Sequence, residues 1–263
     1  MFDDTETDLV FVTTQHDSHA MLAESALAAG KAVWLEKPVG LTAEEVDRVA
    51  LVASESSGFL MVGYNRRFSS HAVAIRDAFS ERSGPLAIQY VVAAGETPSN
   101  TWLMDPKIGG GRIVGEVCHF VDLCTFLVGS PPRSVFAQSL GRNSGADDSM
   151  IATLMFPDGS SASLSYLAKA SPDLPKERFE VHADGRSALC ENFRTTVLPG
   201  GKKIRGVNQD KGQEAAIAQT LAAIRAGGPS PISIREIVAT SYATFKMQAS
   251  MRTGRAVDLE VDS

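Results

Sequence analysis

Short apolar runs alternate with helix-forming segments over the first 64 residues, and this alternation limits the fold more than any other feature. The run at 8–13 (DLVFVT) is apolar at consecutive positions, as in a strand of a parallel sheet that is covered on both faces. Two further runs of this kind follow, at 32–35 and 59–63. The pattern predicts a doubly wound, Rossmann-like α/β domain over residues 1–64.

Capping signals bound the helices that accompany these strands. The first helix is expected to end at Gly30, and the second opens with a capping box in which Thr42 precedes Glu45 by three positions. Near the end of the chain, Ser233 and Glu236 form a second capping box at the start of the last helix.

The pattern changes after residue 64. Small polar and apolar residues alternate in three segments, 88–94, 151–156 and 161–167, as in strands of a sheet with one buried face. A helix is predicted at about 116–127. We therefore expect residues 65–263 to form an α+β domain with a large, mostly antiparallel sheet.

The charge balance narrows the choice of partners. The chain has 25 Lys and Arg against 31 Asp and Glu, a net charge of -6, and no basic run. Nucleic acid and anionic membranes are therefore not expected partners. Three cysteines without a CxxC pairing and an acidic N-terminus without a signal-like apolar run indicate a cytoplasmic protein.

Several short motifs occur in a characteristic order. They are Val12-Thr13-Thr14 with His19, Glu36-Lys37-Pro38, Gly63-Tyr64-Asn65-Arg66-Arg67-Phe68, and Gly109-Gly110-Gly111 followed by His119-Phe120-Val121-Asp122. In this order and spacing, the sequence resembles the Gfo/Idh/MocA family of oxidoreductases over nearly its whole length.

The resemblance implies NAD or NADP as cofactor, and hydride transfer at a hydroxyl carbon of a sugar, sugar acid or cyclitol. It also implies a cis Lys37-Pro38 bond and a homo-oligomer formed through the antiparallel sheet. The GxGxxG loop that holds the cofactor's phosphates does not occur in the sequence. We therefore expect the first strand-helix repeats of the dinucleotide domain to be missing and cofactor binding to be weakened.

Lys37 is the first candidate for catalysis. Hydride transfer at a carbinol carbon needs a proton acceptor beside the oxygen, and a lysine at the carboxyl edge of a parallel sheet can supply it. The alternative is an exposed loop lysine, and the family resemblance favours the catalytic role.

His119 and Asp122 stand three apart on a predicted helix, so the carboxylate can orient the imidazole as an acid/base pair. The alternative is a surface histidine with an acidic neighbour. The family commonly carries an aspartate four residues before this histidine, where the chain has Gly115. Glu116 is the candidate replacement, although one helical position rotates a side chain by about 100°.

The remaining candidates follow from the motifs. Thr14, His19, Glu36 and Pro38 are predicted to contact the cofactor, although Thr14 and His19 lie in a segment that could simply cap a helix. Asn65, Arg66 and Arg67 are predicted to reach the substrate, with ion pairs between the two parts as the alternative. Trp102 is predicted to pack on a sugar ring, or otherwise in the core.

Other functions are less well supported by the sequence. His16 and His19 are too few for a metal site, and none is predicted. No GxSxG elbow indicates a hydrolase. The main alternative is a non-catalytic module for ligand binding or dimerisation that derives from the same family.

Overall fold

A computed structural model describes residues 2–56, 58–141 and 149–259. The first part contains a three-stranded parallel sheet in the order β1-β2-β3. Its elements are β1 (Leu9–Val12), α1 (His19–Ala28), β2 (Ala32–Leu35), α2 (Ala43–Glu55) and β3 (Phe59–Val62). All four residues of β2 are buried, as expected for the central strand of a covered sheet.

Both predicted capping residues cap their helices, but only the second pair forms a full capping box. Thr42 Oγ1 accepts a hydrogen bond from the Glu45 backbone N–H at 3.2 Å, whereas the Glu45 carboxylate accepts from the backbone N–H of Leu41, one residue before Thr42, at 2.6 Å. At the last helix, Ser233 Oγ accepts from the Glu236 backbone N–H at 3.2 Å, and the Glu236 carboxylate accepts from the Ser233 backbone N–H at 3.3 Å. Both helices therefore begin where their unpaired backbone N–H groups find side-chain acceptors.

The second part contains a nine-stranded sheet in the order β11-β10-β9-β8-β4-β7-β6-β5-β12. Among the neighbouring strand pairs described in this sheet, β4 and β7 are parallel and the others are antiparallel. The strands are β4 (Ala87–Ala93), β5 (Ser134–Ser139), β6 (Met150–Met155), β7 (Ser161–Leu167), β8 (Glu177–Ala183), β9 (Arg186–Glu191), β10 (Thr195–Val197), β11 (Lys203–Arg205) and β12 (Val257–Asp258). The predicted fold class, a parallel sheet followed by a mostly antiparallel one, is confirmed.

Helices α3 (Ser70–Ala78), α4 (Cys118–Val128) and α6 (Ile234–Thr253) cover one face of this large sheet and contribute to its core. The remaining helix of this part, α5 (Gln213–Ala226), packs against the core of the parallel sheet instead. Along β4, Ile88, Tyr90 and Val92 point into that core, whereas Val91 points to the open face. The alternation predicted for strands with one buried face is therefore present.

The long helix α6 joins the two parts. Ile237 packs in the core of the parallel sheet, and Met247, ten residues on, packs in the core of the large sheet. A boundary at residue 65 remains a prediction, because Ala216 of α5 also returns to the first core. Among the described residues, no helix combines the length and apolar character needed to cross a membrane.

Candidate active site

Lys37 follows β2 at the carboxyl edge of the parallel sheet. The Lys37-Pro38 peptide bond is cis, as the family resemblance implies. Its side chain crosses to the second part of the chain, where Nζ donates a hydrogen bond to the carbonyl oxygen of Gly115 at 2.9 Å. This hydrogen bond holds the amine in place, and the lysine is only partly buried.

The Glu36 side chain lies near Trp34 of β2 and near Gly63, which follows β3. Its carboxylate accepts a hydrogen bond from the Trp34 indole N–H at 3.1 Å. A Cβ atom at Gly63 would stand 2.9 Å from the same carboxylate, so a glycine at this position makes room for it.

The loop after β1 presents Thr14 and encloses His19. The Thr14 side chain is exposed, with its hydroxyl 2.7 Å from that of Ser18. His19 is buried, with Nδ1 2.7 Å from the Pro38 carbonyl oxygen and Nε2 3.1 Å from the Thr14 carbonyl oxygen. His19 therefore ties this loop to the one that carries Lys37, and its contact with the cofactor stays a prediction.

The imidazole of His119 lies buried beside these loops, and its Nδ1 has no hydrogen-bond partner among the described residues. Burial lowers the pKa of His119 well below 6.5, and the positive charges of Arg66 and Lys37 add to the effect. At neutral pH His119 is therefore uncharged.

The predicted pair between His119 and Asp122 is not formed. Both carboxylate oxygens of Asp122 accept hydrogen bonds from the Arg67 guanidinium, at 2.6 and 3.0 Å. A planar guanidinium matches a carboxylate with two parallel bonds, and this arrangement occupies Asp122 fully. Asp122 therefore anchors Arg67 instead of orienting the histidine.

Glu116 lies in an irregular turn. Residues Ile113–Val117 form a π-helical turn before α4, so ordinary α-helical spacing does not apply to this position. The Glu116 carboxylate accepts a 2.5 Å hydrogen bond from the Tyr166 hydroxyl and lies 3.5 Å from the Arg112 guanidinium. Burial alone would raise the pKa of Glu116, but Tyr166, Arg112 and the nearby charge of Lys37 lower it.

Asn65, Arg66 and Arg67 are buried and hydrogen-bonded within the protein, and their contact with a substrate stays a prediction. Asn65 donates to the carbonyl oxygen of Lys211 at 2.7 Å, and Arg67 also reaches Glu236 at 3.0 Å. The two arginines form the ion pairs that we gave as the alternative.

The partner of Arg66 is Glu177, which the sequence did not single out. Glu177 is fully buried and accepts from Arg66 at 2.7 and 2.9 Å, from Lys211 at 2.7 Å and from the Tyr90 hydroxyl at 2.7 Å. Burial opposes ionisation, yet Arg66 and Lys211 prevail and lower the pKa of Glu177 to about 2. No local pattern could reveal a pair separated by 111 positions.

From the sequence, His16 was considered only as a metal ligand, and the structure shows it buried beside Trp102. Its Nδ1 donates to the Gly109 carbonyl oxygen at 2.8 Å, and its ring lies edge-on to Trp102, with centroids 4.8 Å apart. Trp102 is about one third exposed, and its packing on a sugar ring stays a prediction. A Cβ at Gly109 would collide with the Leu103 backbone, so this glycine permits a close approach of two backbone segments.

Three parallel strands with a lysine at their carboxyl edge, followed by a large second sheet, define a two-part protein of the Rossmann type. Residues 1–64 match the family described as "Oxidoreductase family, NAD-binding Rossmann fold", and residues 85–188 match the "GFO/IDH/MocA C-terminal domain". The chain belongs to the Gfo/Idh/MocA family of oxidoreductases.

Individual relatives support this assignment. Inositol 2-dehydrogenase of Rhizobium meliloti is 34% identical over 201 residues, which are 73% of this chain and 60% of that enzyme. 1,5-Anhydro-D-fructose reductase of Ensifer adhaerens is 27% identical over 276 residues, covering 98% of this chain and 81% of the reductase. The solved structure of a levoglucosan dehydrogenase with NADH and levoglucosan has a TM-score of 0.83 at 20% identity, covering 98% of this chain and 81% of that one.

Proposed function

We propose that the chain is an NAD(P)-dependent dehydrogenase that acts on a hydroxyl carbon of a sugar, sugar acid or cyclitol. One observation carries this proposal: the Lys37 amine is held by the Gly115 carbonyl at the carboxyl edge of the sheet, in a region that also holds a neutral His119. The relatives that oxidise inositol and reduce anhydrofructose support the choice of substrate class.

The residues at this edge fit the nicotinamide end of the cofactor. Thr14 offers an exposed hydroxyl, the backbone at 36–38 runs along the same edge, and the buried Nδ1 of His119 lacks a protein partner. We propose Thr14, Glu36 and Pro38 as contacts of this end, with His19 shaping the loop. When bound, the nicotinamide supplies the hydride acceptor.

Lys37 and His119 would both contact the substrate oxygen, the first to transfer its proton and the second to hold the oxygen by a hydrogen bond. During oxidation, the Lys37 amine accepts the proton of the carbinol hydroxyl, and during reduction the ammonium returns it. A neutral imidazole at His119 can hold the same oxygen by a hydrogen bond without adding a charge. Glu116, fixed by Tyr166 and Arg112, stays ionised and offsets part of the positive charge around Lys37.

A direct assay tests this function. The purified chain is incubated with NAD⁺ or NADP⁺ and with myo-inositol, glucose and gluconate in turn, while absorbance at the nicotinamide band is followed. NADH binding is measured separately by fluorescence. Turnover of one polyol supports the proposal, and NADH binding without any turnover on a broad polyol panel contradicts it.

We also propose that the chain associates with a second copy through the open face of the large sheet. This face carries exposed apolar side chains on three strands, Val91, Phe136 and Ile151, each 40 to 43% exposed. Light scattering should show a dimer that Ile151→Glu converts to a monomer. Ile217→Glu, on exposed α5, is the control and should leave the dimer intact.

A further inference from the structure

The protonation of His16 is fixed by its neighbour. Nδ1 faces the Gly109 carbonyl oxygen at 2.8 Å, and a carbonyl can only accept, so Nδ1 carries the proton. In a neutral ring, Nε2 is then an acceptor with a free lone pair. Burial, with help from the charge of Lys37, lowers the pKa of His16 to about 4, so the ring is neutral at physiological pH.

Nε2 of His16 is available to a ligand. It makes no hydrogen bond to the described residues, and, in contrast to Nδ1 of His119, it is not sealed from solvent. The ring is wedged between Trp102, at 4.8 Å, and His19, at 5.3 Å between centroids, so its orientation is set by packing.

Gly115 lies next to the His16 ring. A Cβ atom at residue 115 would stand 3.0 Å from Cε1 of His16, so the imidazole occupies the space that a side chain at 115 would fill. The family commonly has an aspartate at this position, and Gly115 instead presents its carbonyl to Lys37. A polar ring from another loop thus stands where the missing carboxylate would be.

We propose that His16 replaces the side chain absent at Gly115 as a substrate-binding residue, and that its Nε2 accepts a hydrogen bond from a polyol hydroxyl next to the carbinol that reacts. This inference rests on the proposed function. It assigns the site a preference for substrates with a hydroxyl donor at that neighbouring carbon, because binding is weaker when a largely buried acceptor is left unpaired.

Two substitutions separate the acceptor from the structural role of the ring. His16→Asn keeps a donor near the Nδ1 position for the Gly109 carbonyl and removes the Nε2 acceptor. His16→Gln places an amide near the Nε2 position. On myo-inositol, His16→Asn should lower kcat/KM by about 10- to 100-fold, and His16→Gln should recover part of the loss.

Deoxy substrates locate the bond. Among the monodeoxy-inositols, one isomer should lack the hydroxyl that binds His16. The wild type should turn over this isomer with the same low kcat/KM that His16→Asn shows on myo-inositol. His16→Asn should not lower kcat/KM on this isomer any further. A loss of equal size on every isomer would mean that His16 only supports the fold, and it would overturn the proposal.

An exchange between positions 16 and 115 gives an independent test. Gly115→Asp alone should reduce activity, since its Cβ meets the His16 ring. In a His16→Ala background the same substitution should raise activity, because the carboxylate enters the vacated space. Additive losses in the double variant would contradict the replacement.

Nitrogen NMR gives a readout that does not depend on turnover. In ¹⁵N-histidine-labelled protein at pH 7, His16 should show the tautomer with the proton on Nδ1, and myo-inositol added with NADH should shift the Nε2 resonance. If the wild type is active, its His16 Nε2 resonance does not shift, and the kcat/KM of His16→Asn is within twofold of the wild type, this inference is wrong while the proposed function stands. A wild type without polyol turnover overturns the proposed function and this inference with it.

Discussion

The amine of Lys37 is held by the backbone carbonyl of Gly115, 2.9 Å away, and not by a carboxylate. The acid next to Gly115 in the sequence, Glu116, is held by Tyr166 and Arg112 instead. A carbonyl orients an amine without adding a full negative charge beside it. The lysine therefore keeps a defined position from which its amine can exchange a proton with a substrate oxygen.

Removing this amine should abolish most of the catalysis. We expect Lys37→Met to lower kcat by about 10²- to 10⁴-fold, because the proton acceptor is lost. Lys37→Arg should not restore activity, since a guanidinium keeps the charge but does not give up its proton. Steady-state kinetics measure the change, and NADH fluorescence checks that the cofactor still binds.

Lys31→Met is the matched control for this experiment. Lys31 lies in a turn, with Nζ bonded to the Asp4 carbonyl oxygen at 2.7 Å, and its loss should leave kcat unchanged. If Lys37→Met stayed within tenfold of the wild type, Lys37 would not be the group that moves the proton.

Glu177 should be far more important for stability than Glu180, three residues along the same strand. Glu177 is fully buried between Arg66 and Lys211, and Glu177→Gln would leave two buried cations without their counter-charge. We expect a loss of about 3 to 5 kcal/mol in the free energy of unfolding. Urea denaturation at pH 7 measures it.

The control is Glu180→Gln, whose partner Arg178 is half exposed. An ion pair of this kind contributes about 1 kcal/mol or less. Similar losses for the two variants would show that burial does not distinguish the two glutamates.

The parallel sheet could be predicted from the sequence because each strand and helix carries its own local signal. β2 is an unbroken apolar run, and α2 begins at Thr42, whose hydroxyl caps the helix by a bond within three positions. The three strands found at 9–12, 32–35 and 59–62 lie within or at the predicted runs.

The ion pairs of the site could not be predicted in the same way. Asp122 lies three residues from His119, which favoured a local pair, yet it binds Arg67, 55 positions away. His16 was considered only as a metal ligand, because its neighbours in the structure, Gly109 and Gly115, lie about a hundred residues further along the sequence. Contacts of this range depend on the packing of whole elements, which the sequence pattern does not specify.

Gly109 should tolerate no side chain, since a Cβ there meets the Leu103 backbone, which cannot move aside as a flexible side chain would. Gly109→Ala should cost about 1 to 3 kcal/mol of stability and should lower kcat/KM, because the Gly109 carbonyl orients His16. Gly228→Ala is the control, because its Cβ finds only the Ala223 carbonyl oxygen, at 3.8 Å. Equal stabilities of the two variants would disprove the close-approach argument.

His16 should contribute a loss of stability as the pH drops from 7 to 5. In the unfolded chain, His16 takes up a proton near pH 6.5, whereas in the folded chain burial, with the charges of Lys37 and His19, lowers its pKa to about 4. The unfolded state therefore binds more protons between these values, and the free energy of unfolding decreases with falling pH. His119, whose pKa is lowered in the same direction, adds to this slope.

His16→Asn separates the contribution of His16 from that of His119. The variant cannot take up the proton at position 16 in either state, so its stability should fall less steeply between pH 7 and pH 5 than that of the wild type. Measurements stop at pH 5 so that Glu177 does not contribute to the slopes. Its pKa is 4.5 ordinarily and about 2 in the folded protein, so its stabilising effect is lost only below pH 5. Urea denaturation at half-unit pH steps, with equal m-values for the two proteins, measures the two slopes. Parallel curves would mean that folded His16 accepts a proton as readily as the unfolded chain, in which case its Nε2 would not be the neutral acceptor that the Gly109 bond defines.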